Sequence, residues 1–345
     1  MLKTTIGGRY HIIKELGRGS YGQTWLAEDQ HLPGSPYCVV KQFKPQPSSA
    51  STLKIAQRLF EEEPKILQQL AKHDLIPQIM AYVEENDERY LVQEYIQGHD
   101  LSTELNSGEK FSEASVIELL QQILQALEFI QQHNVIHRDI KPSNLMRREQ
   151  DGKVVLIDFG AVKKWQPSNQ HTAPTVVIGT LGYKPPEQDR GYPNLSSDIY
   201  AVGMIGIQAL TGQLPNTLQL DSDNKVIWRN KQVKVSDELA AVLDKMVRYD
   251  FYERYSSATQ ALEALKEVKH KPQATILSTL SQPNIQASPS PHFNFKAMFL
   301  ACSFFALLAL GSFLLVSEVS KGDKPETIIP DTTPSPVREP CYPWC

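Results

Sequence analysis

From residue 10 to about residue 100 the chain alternates apolar and polar side chains in short runs: Tyr10–Leu16, Gln23–Glu28, Tyr37–Phe43, Gln78–Glu84 and Tyr90–Tyr95. A period of two marks half-buried strands, so each run predicts one. Between the third run and the fourth, Leu53 to Leu70 repeats its apolar residues at helical spacing and predicts a single helix. The period then changes. Beyond Ser112, a suitable N-cap, Val116, Leu119, Leu120, Ile123, Leu127 and Ile130 make one apolar stripe that has to pack against a core. Further helices are predicted from Asp198 to Leu210, stopping at Gly212, and over roughly 256–268. The fold class is α+β: a lead of residues 1–9, a strand-rich lobe over 10–96 and a larger helical lobe over 97–268.

After about residue 270 both periods disappear. Residues 269–296 are rich in Pro, Ser, Gln and Asn and predict a flexible linker. Residues 297–317, AMFLACSFFALLALGSFLLVS, carry no charge, and about 20 such residues cross the hydrocarbon of a bilayer at 1.5 Å each. A buried soluble helix is the competing reading, but such helices seldom run this long without a polar face. The prediction is one transmembrane helix followed by a short tail, 318–345.

Charge and cysteine usage narrow the partners. Charged residues are 21% of the 345 and the net charge is −4, so no basic field marks a nucleic-acid partner. Cys38, Cys302, Cys341 and Cys345 are too scattered for a disulfide framework through the body of the protein. MLKTTIGGRY has no apolar core of a secretion signal, and Lys296 on one side of the apolar segment faces Lys321 and Lys324 on the other. With flanking charge undecided, the long polar region ahead of the segment sets the expectation: cell membrane, single pass, large domain cytoplasmic, tail outside. In that tail Cys341 and Cys345 form a local disulfide or bind a partner or metal, and two cysteines alone do not complete a tetrahedral site. Cys302 and Ala306, four apart, are a slight hint of a homodimer through the apolar segment.

The chemistry begins at "GRGSYG", residues 17–22. Gly17, Gly19 and Gly22 fit a dinucleotide loop, a lid over ATP phosphates or a plain hairpin. A strand, not a helix, is predicted after Gly22, and Lys41 stands nineteen residues on where a dinucleotide site needs an acid. That combination favours the phosphate lid, with the lysine reaching across from a neighbouring strand. "HRDIKPSN" at 137–144 and "DFG" at 158–160 add a carboxylate to take a proton, oxygen ligands for a metal and a nearby cation.

Gly17-x-Gly19-x-x-Gly22, Lys41, HRDIKPSN, DFG and "GTLGYKPPE" at 179–187, in that order, resemble the eukaryotic-like serine/threonine protein kinases of bacteria, some of them membrane-anchored. The resemblance covers 10–268 and implies a bilobed protein-kinase-like fold, a reaction between ATP and protein Ser/Thr hydroxyls, Mg²⁺ as cofactor, and a part in signal transduction. It implies Asp139 as the base with Lys141 beside it, and Asn144 and Asp158 as metal ligands. Around ATP it implies Leu16, the three glycines, Thr24, Val39, Lys41, Glu63, Met146, the Glu94 carbonyl, the Ile96 N–H and, near the ribose, Asp100. It also implies a Glu187–Arg254 pair and a brace of the catalytic loop by Asp198. Thr24 and Gln93 stand where valine and a smaller or apolar gatekeeper are commoner. Pro64, costing about 3 kcal/mol inside a helix, follows Glu63, so Glu61 or Glu62 is a substitute partner for Lys41.

Between Gly160 and Gly179, Thr172 and Thr175 are expected autophosphorylation sites, with Arg138 and Lys163 to receive the phosphate; Thr180 is a third regulatory candidate. Two other functions remain open on the same motifs. One is a tethered pseudokinase that binds without transferring phosphate, against which stand the retained lysine, base and metal ligands. The other is a small-molecule phosphotransferase, against which stands the peptide platform implied by GTLGYKPPE.

Overall fold

The computed structural model describes residues 5–19, 22–45, 50–70, 73–165 and 177–270. Ser20, Tyr21, Thr172 and Thr175, nearly all of the linker, the apolar segment 297–317 and the tail with Cys341 and Cys345 lie outside them.

The first lobe is a six-stranded antiparallel sheet over one helix. Its strands are β1 (Thr5–Ile6), β2 (Tyr10–Gly19), β3 (Gly22–Asp29), β4 (Tyr37–Phe43), β5 (Ile79–Glu85) and β6 (Glu88–Glu94), ordered β1-β2-β3-β4-β6-β5. Five match the predicted runs to within a few residues. The sixth, β1, lies in the segment expected to be only a lead: Thr5 pairs with His11 and Ile6 with Tyr10. Ile6, 3% exposed, joins Tyr10, Trp25, Ala27, Cys38, Val40, Tyr90 and Val92 in a core on one sheet face. A strand of two residues is too short to show a period, which is why the pattern hid it.

Helix α1 (Ala50–Leu70) carries Pro64 in its interior without ending. The proline removes one backbone donor, but Leu59, Phe60, Ile66, Leu67 and Leu70 on both sides of it are buried and hold the helix in place.

After β6 the chain makes β7 (Gly98–Asp100), α2 (Leu101–Leu105), α3 (Glu113–Gln132), β8 (Val135–Ile136), β9 (Leu145–Arg148), β10 (Val154–Leu156), β11 (Lys163–Lys164), α4 (Pro186–Asp189) and α5 (Leu195–Thr211). A hairpin of β12 (Gln219–Leu220) and β13 (Val226–Ile227), then α6 (Asp237–Met246) and α7 (Ala258–His270), complete the second lobe. Ser112 caps α3 as expected, accepting the Ser115 N–H at 3.1 Å. The whole predicted stripe of α3 is buried. α5 starts three residues before Asp198, because Asn194 and Ser197 form a capping box, and ends at Gly212, whose φ of 70° suits glycine. α6 was not predicted, although Ser236 caps it and Leu239, Ala240, Leu243 and Met246 are buried. α5 is buried on nearly every side, so α3, α6 and α7 pack around it and the core of this lobe is centred there.

Candidate active site

The glycine-rich stretch closes β2 onto β3, with Gly17 opposite Thr24 and Gly19 opposite Gly22. Next door, β4 puts Lys41 opposite Thr24. A Cβ on Gly22 would lie 1.8 Å from the Gln42 carbonyl oxygen, so the neighbouring strand excludes any other residue there.

Lys41 is buried, and its Nζ meets Glu63 Oε1 at 2.6 Å and Asp158 Oδ1 at 3.1 Å. Of the three adjacent glutamates only Glu63 turns inward: Glu61 pairs with Arg89 at 2.7 Å and Glu62 faces Arg58 at 3.8 Å. Burial alone would lower the Lys41 pKa, but the two carboxylates outweigh it and hold the ammonium above the ordinary lysine value. Burial likewise pushes Asp158 up, yet the Lys41 charge and hydrogen bond leave it below the usual carboxylate range. For Glu63 burial wins, helped by the Asp158 charge, and its pKa is raised.

Between β8 and β9, Asp139 is held from three directions. Lys141 Nζ lies 3.0 Å from Oδ2, Asn144 Nδ2 donates to Oδ2 at 3.1 Å, and the Thr180 hydroxyl donates to Oδ1 at 2.9 Å. Asn144 Nδ2 also donates to the Asp139 carbonyl at 2.8 Å. Thr180, expected among the regulatory hydroxyls, is thus engaged with the candidate base. Asp198, at the start of α5, accepts the N–H groups of His137 and Arg138, both at 2.8 Å, and burial raises its pKa to about 6. Those two bonds hold Arg138 at a φ of 69°, and Asp158 sits at 64°, both in the left-handed region that such residues seldom visit. His137, buried against the Phe159 ring at 5.1 Å, has its pKa pulled down to about 4 by desolvation.

Four residues expected around ATP meet in one apolar cluster: Leu16, Val39, Ile96 and Met146 pack with Leu26, Val155 and Ile157. The last three escaped sequence reasoning, since an aliphatic residue in a strand carries no sign of which face it lines. Glu94 ends β6, where its side chain accepts the Gln78 N–H at 3.1 Å, leaving its expected role to the backbone. Asp100, expected near the ribose, is 1% exposed and caps α2 through Oδ1, while Oδ2 has no partner among the described residues.

The residues expected to hold Mg²⁺ fit a hard cation. Asn144 gives its Nδ2 to Asp139 and keeps a buried Oδ1 without a partner among the described residues, and Asp158 supplies a carboxylate. Two protein oxygens are a usual set for Mg²⁺ when substrate phosphates and water complete the shell.

The segment after the described gap is tied down from below. Glu187 meets Arg254 through bonds of 2.7 and 3.0 Å, both residues buried, and Ser197 donates to the same carboxylate at 2.7 Å. Gln188, not singled out in the sequence, donates to the carbonyls of Arg138 and Ile178 at 2.6 and 2.7 Å, joining this segment to the catalytic loop. Arg138, expected to receive a phosphate, is buried with its guanidinium on the carbonyls of Ala161 and Val162.

Residues 10–267 match the protein kinase domain. The chain belongs to the protein kinase family. Among similar kinases, serine/threonine-protein kinase B of Synechocystis sp. is 41% identical over 268 residues, 76% of this chain and 47% of that protein. PknA of Nostoc sp. is 39% identical over 271 residues, 77% of this chain and 48% of PknA. Serine/threonine-protein kinase C of Synechocystis sp. is 42% identical over 267 residues, 76% of this chain and half of that kinase. The chain therefore spans about half the length of the curated kinases it matches.

Proposed function

We propose that this kinase domain transfers the γ-phosphoryl group of ATP to serine or threonine hydroxyls of proteins. The observation that carries the reading is Asp139, held at once by Lys141, Asn144 and Thr180, with the Lys41–Glu63–Asp158 cluster completing the pocket. Lys41 would hold the phosphates, and the Leu16, Val39, Ile96 and Met146 cage the adenine. Asn144 and Asp158 would hold Mg²⁺, which supplies neutralisation of phosphate charge. Asp139 would accept the hydroxyl proton as that oxygen bonds to the γ-phosphorus, with the bond to the ADP oxygen breaking and ADP leaving. Transfer of labelled phosphate from ATP to a generic acceptor protein tests this: Asp139→Ala and Asp158→Ala should each lower the rate by about a hundredfold or more. Equal labelling by wild type and both variants would end the reading.

Control and location extend the proposal. A cleft of about 470 Å³ is lined by Arg58, Lys65, Lys163 and Lys164 with one acid, Glu62, while Arg138 in its wall is engaged with the carbonyls of Ala161 and Val162. That excess of cations suits a phosphate on Thr172 or Thr175, and alanine at both positions should remove the activation that follows preincubation with ATP. The uncharged segment 297–317 would anchor the chain in a membrane with the kinase domain on the cytoplasmic side. Among the described residues no helix is long and apolar enough to cross a membrane. Retention in the membrane pellet after alkaline carbonate, lost on deleting 297–317, is the expected result.

A further inference from the structure

The face of the first-lobe sheet opposite Lys41 closes on itself. Trp25, Val40 and Val92 stand side by side across β3, β4 and β6, and strand alternation turns them away from Lys41. The turn after β1 reaches the far edge of the same sheet: the Gly7 N–H donates to Glu85 Oε2 on β5 at 3.1 Å, and a Cβ on Gly7 would lie 3.3 Å from Val83. With its two edges bridged, the sheet curls into a half-barrel. Part of the interior is filled by the core around Ile6, and beside that core a cleft of about 590 Å³ stays open.

Its walls are apolar and its unengaged charged and ring groups are donors. Ile6, Ile12, Trp25 and Tyr90 line it, with Trp25 5% and Tyr90 3% exposed. Both carboxylates at the cleft are engaged. Glu88 accepts the Tyr90 hydroxyl on one oxygen and Gln42 Nε2, at 3.0 Å, on the other, while the two oxygens of Glu15 face Arg18 at 3.3 and 3.4 Å. Two donors are left over. Among the described residues the Trp25 indole N–H has no acceptor, although its nitrogen is not fully enclosed, and Lys44 on the rim has no ion-pair partner. A donor left unmet on a largely buried ring is unfavourable, and a bound acceptor relieves it.

We propose that this cleft binds a small aromatic carboxylate, its ring among Ile6, Ile12, Trp25 and Tyr90 and its carboxylate on the Trp25 N–H and the Lys44 ammonium. The volume lies within the range of about 300–1,000 Å³ usual for small-molecule sites, which favour the mouths of curled sheets. A cationic ligand would meet only carboxylates already engaged, and a neutral hydrocarbon would leave both donors unmet. One layer of sheet separates the cleft from the cluster of Leu26 and Val39 on the opposite face, so it is distinct from the pocket assigned to ATP.

The test uses the full chain labelled with fluorotryptophan and naphthoate as the probe, followed by fluorine NMR and calorimetry. The signal missing from Trp25→Phe belongs to Trp25; it should shift saturably with a Kd below about 1 mM. A saturating non-hydrolysable ATP analogue should change that Kd by less than about twofold, since the two sites lie on opposite faces. Naphthamide and naphthylmethylamine, which keep the ring and lose the negative charge, should bind at least about fivefold more weakly. Lys44→Gln on the exposed rim should raise the Kd about fivefold, and Trp25→Phe, which keeps a ring and loses the N–H, about tenfold. Should Trp25→Phe not fold, its signal is assigned by elimination from Trp165→Phe, Trp228→Phe and Trp344→Phe, and Lys44→Gln carries the comparison. A Trp25 signal that does not move, equal affinity for the acid, the amide and the amine, displacement by the ATP analogue, or an unchanged Kd in Lys44→Gln would overturn the proposal.

Discussion

Two buried ionisable groups beside the candidate base, His137 and Asp198, pull stability in opposite directions with pH. The folded pKa of Asp198 is raised to about 6, so its contribution is fully present below pH ~4 and is lost as pH rises through 6. His137 is lowered to about 4, so its contribution is present above pH ~6.5 and is lost as pH falls through 4. Over the window between, the two slopes offset each other. His137→Phe, which keeps the packing on Phe159, should leave a melting temperature that falls as pH rises from 4.5 to about 6; Asp198→Asn should leave one that rises. Parallel profiles in both variants would refute the assignment. Thr180 gives a sharper residue-level case. Thr180→Val keeps the shape and removes the bond to Asp139, so kcat should fall by about tenfold with the ATP KM unchanged. Asp139, Asn144 and Asp158 were legible in the sequence because their order and spacing are distinctive. The task of Thr180 was not, since a hydroxyl reads alike as a phosphate acceptor and as a donor to a carboxylate.

At the scale of elements, the glycine-rich hairpin is governed by the strand beside it as well as by any ligand. Gly22→Ala would drive a methyl group into the Gln42 carbonyl and should lower the melting temperature by several degrees in the absence of ATP, a loss of about 2 kcal/mol or more. An unchanged melt with only the ATP KM affected would show that the strands can part. For α1, Pro64→Ala restores a backbone donor in mid-helix and should raise the melting temperature while preserving transfer activity, provided Glu63 still reaches Lys41. Periodicity revealed these elements where a run is long enough to repeat. β1, β8 and β11 are two residues each, α2 five, and pairing rather than pattern defines them. α6 has the same period, with Leu239, Ala240, Leu243 and Met246 on one face behind the Ser236 cap and acids in its first turn, but its 10 residues repeat that period barely twice.

Across the whole molecule, the division into a strand-rich and a helical lobe could be read from the change of period, whereas the ties between distant segments could not. Glu187 and Arg254 are 67 residues apart. Gln208 on α5 accepts from the Tyr183 hydroxyl and donates to Asn106, 102 residues before it, at 3.3 Å. Sequence motifs suggested the first pair and nothing suggested the second, because an amide relay has no signature of type or spacing. Both ties converge on α5. Asp198 near its start holds the catalytic loop, and Gln208 near its end holds Tyr183, ten residues or about 15 Å farther along the axis. The helix is therefore a ruler as well as a core. One residue inserted between those two positions would turn Gln208 by about 100° around the axis and carry it away from Tyr183 while Asp198 stayed in register. Length should vary freely at the Asp221–Asn224 turn between β12 and β13, and hardly at all between Asp198 and Gln208: phase along one buried helix limits which insertions this domain accepts.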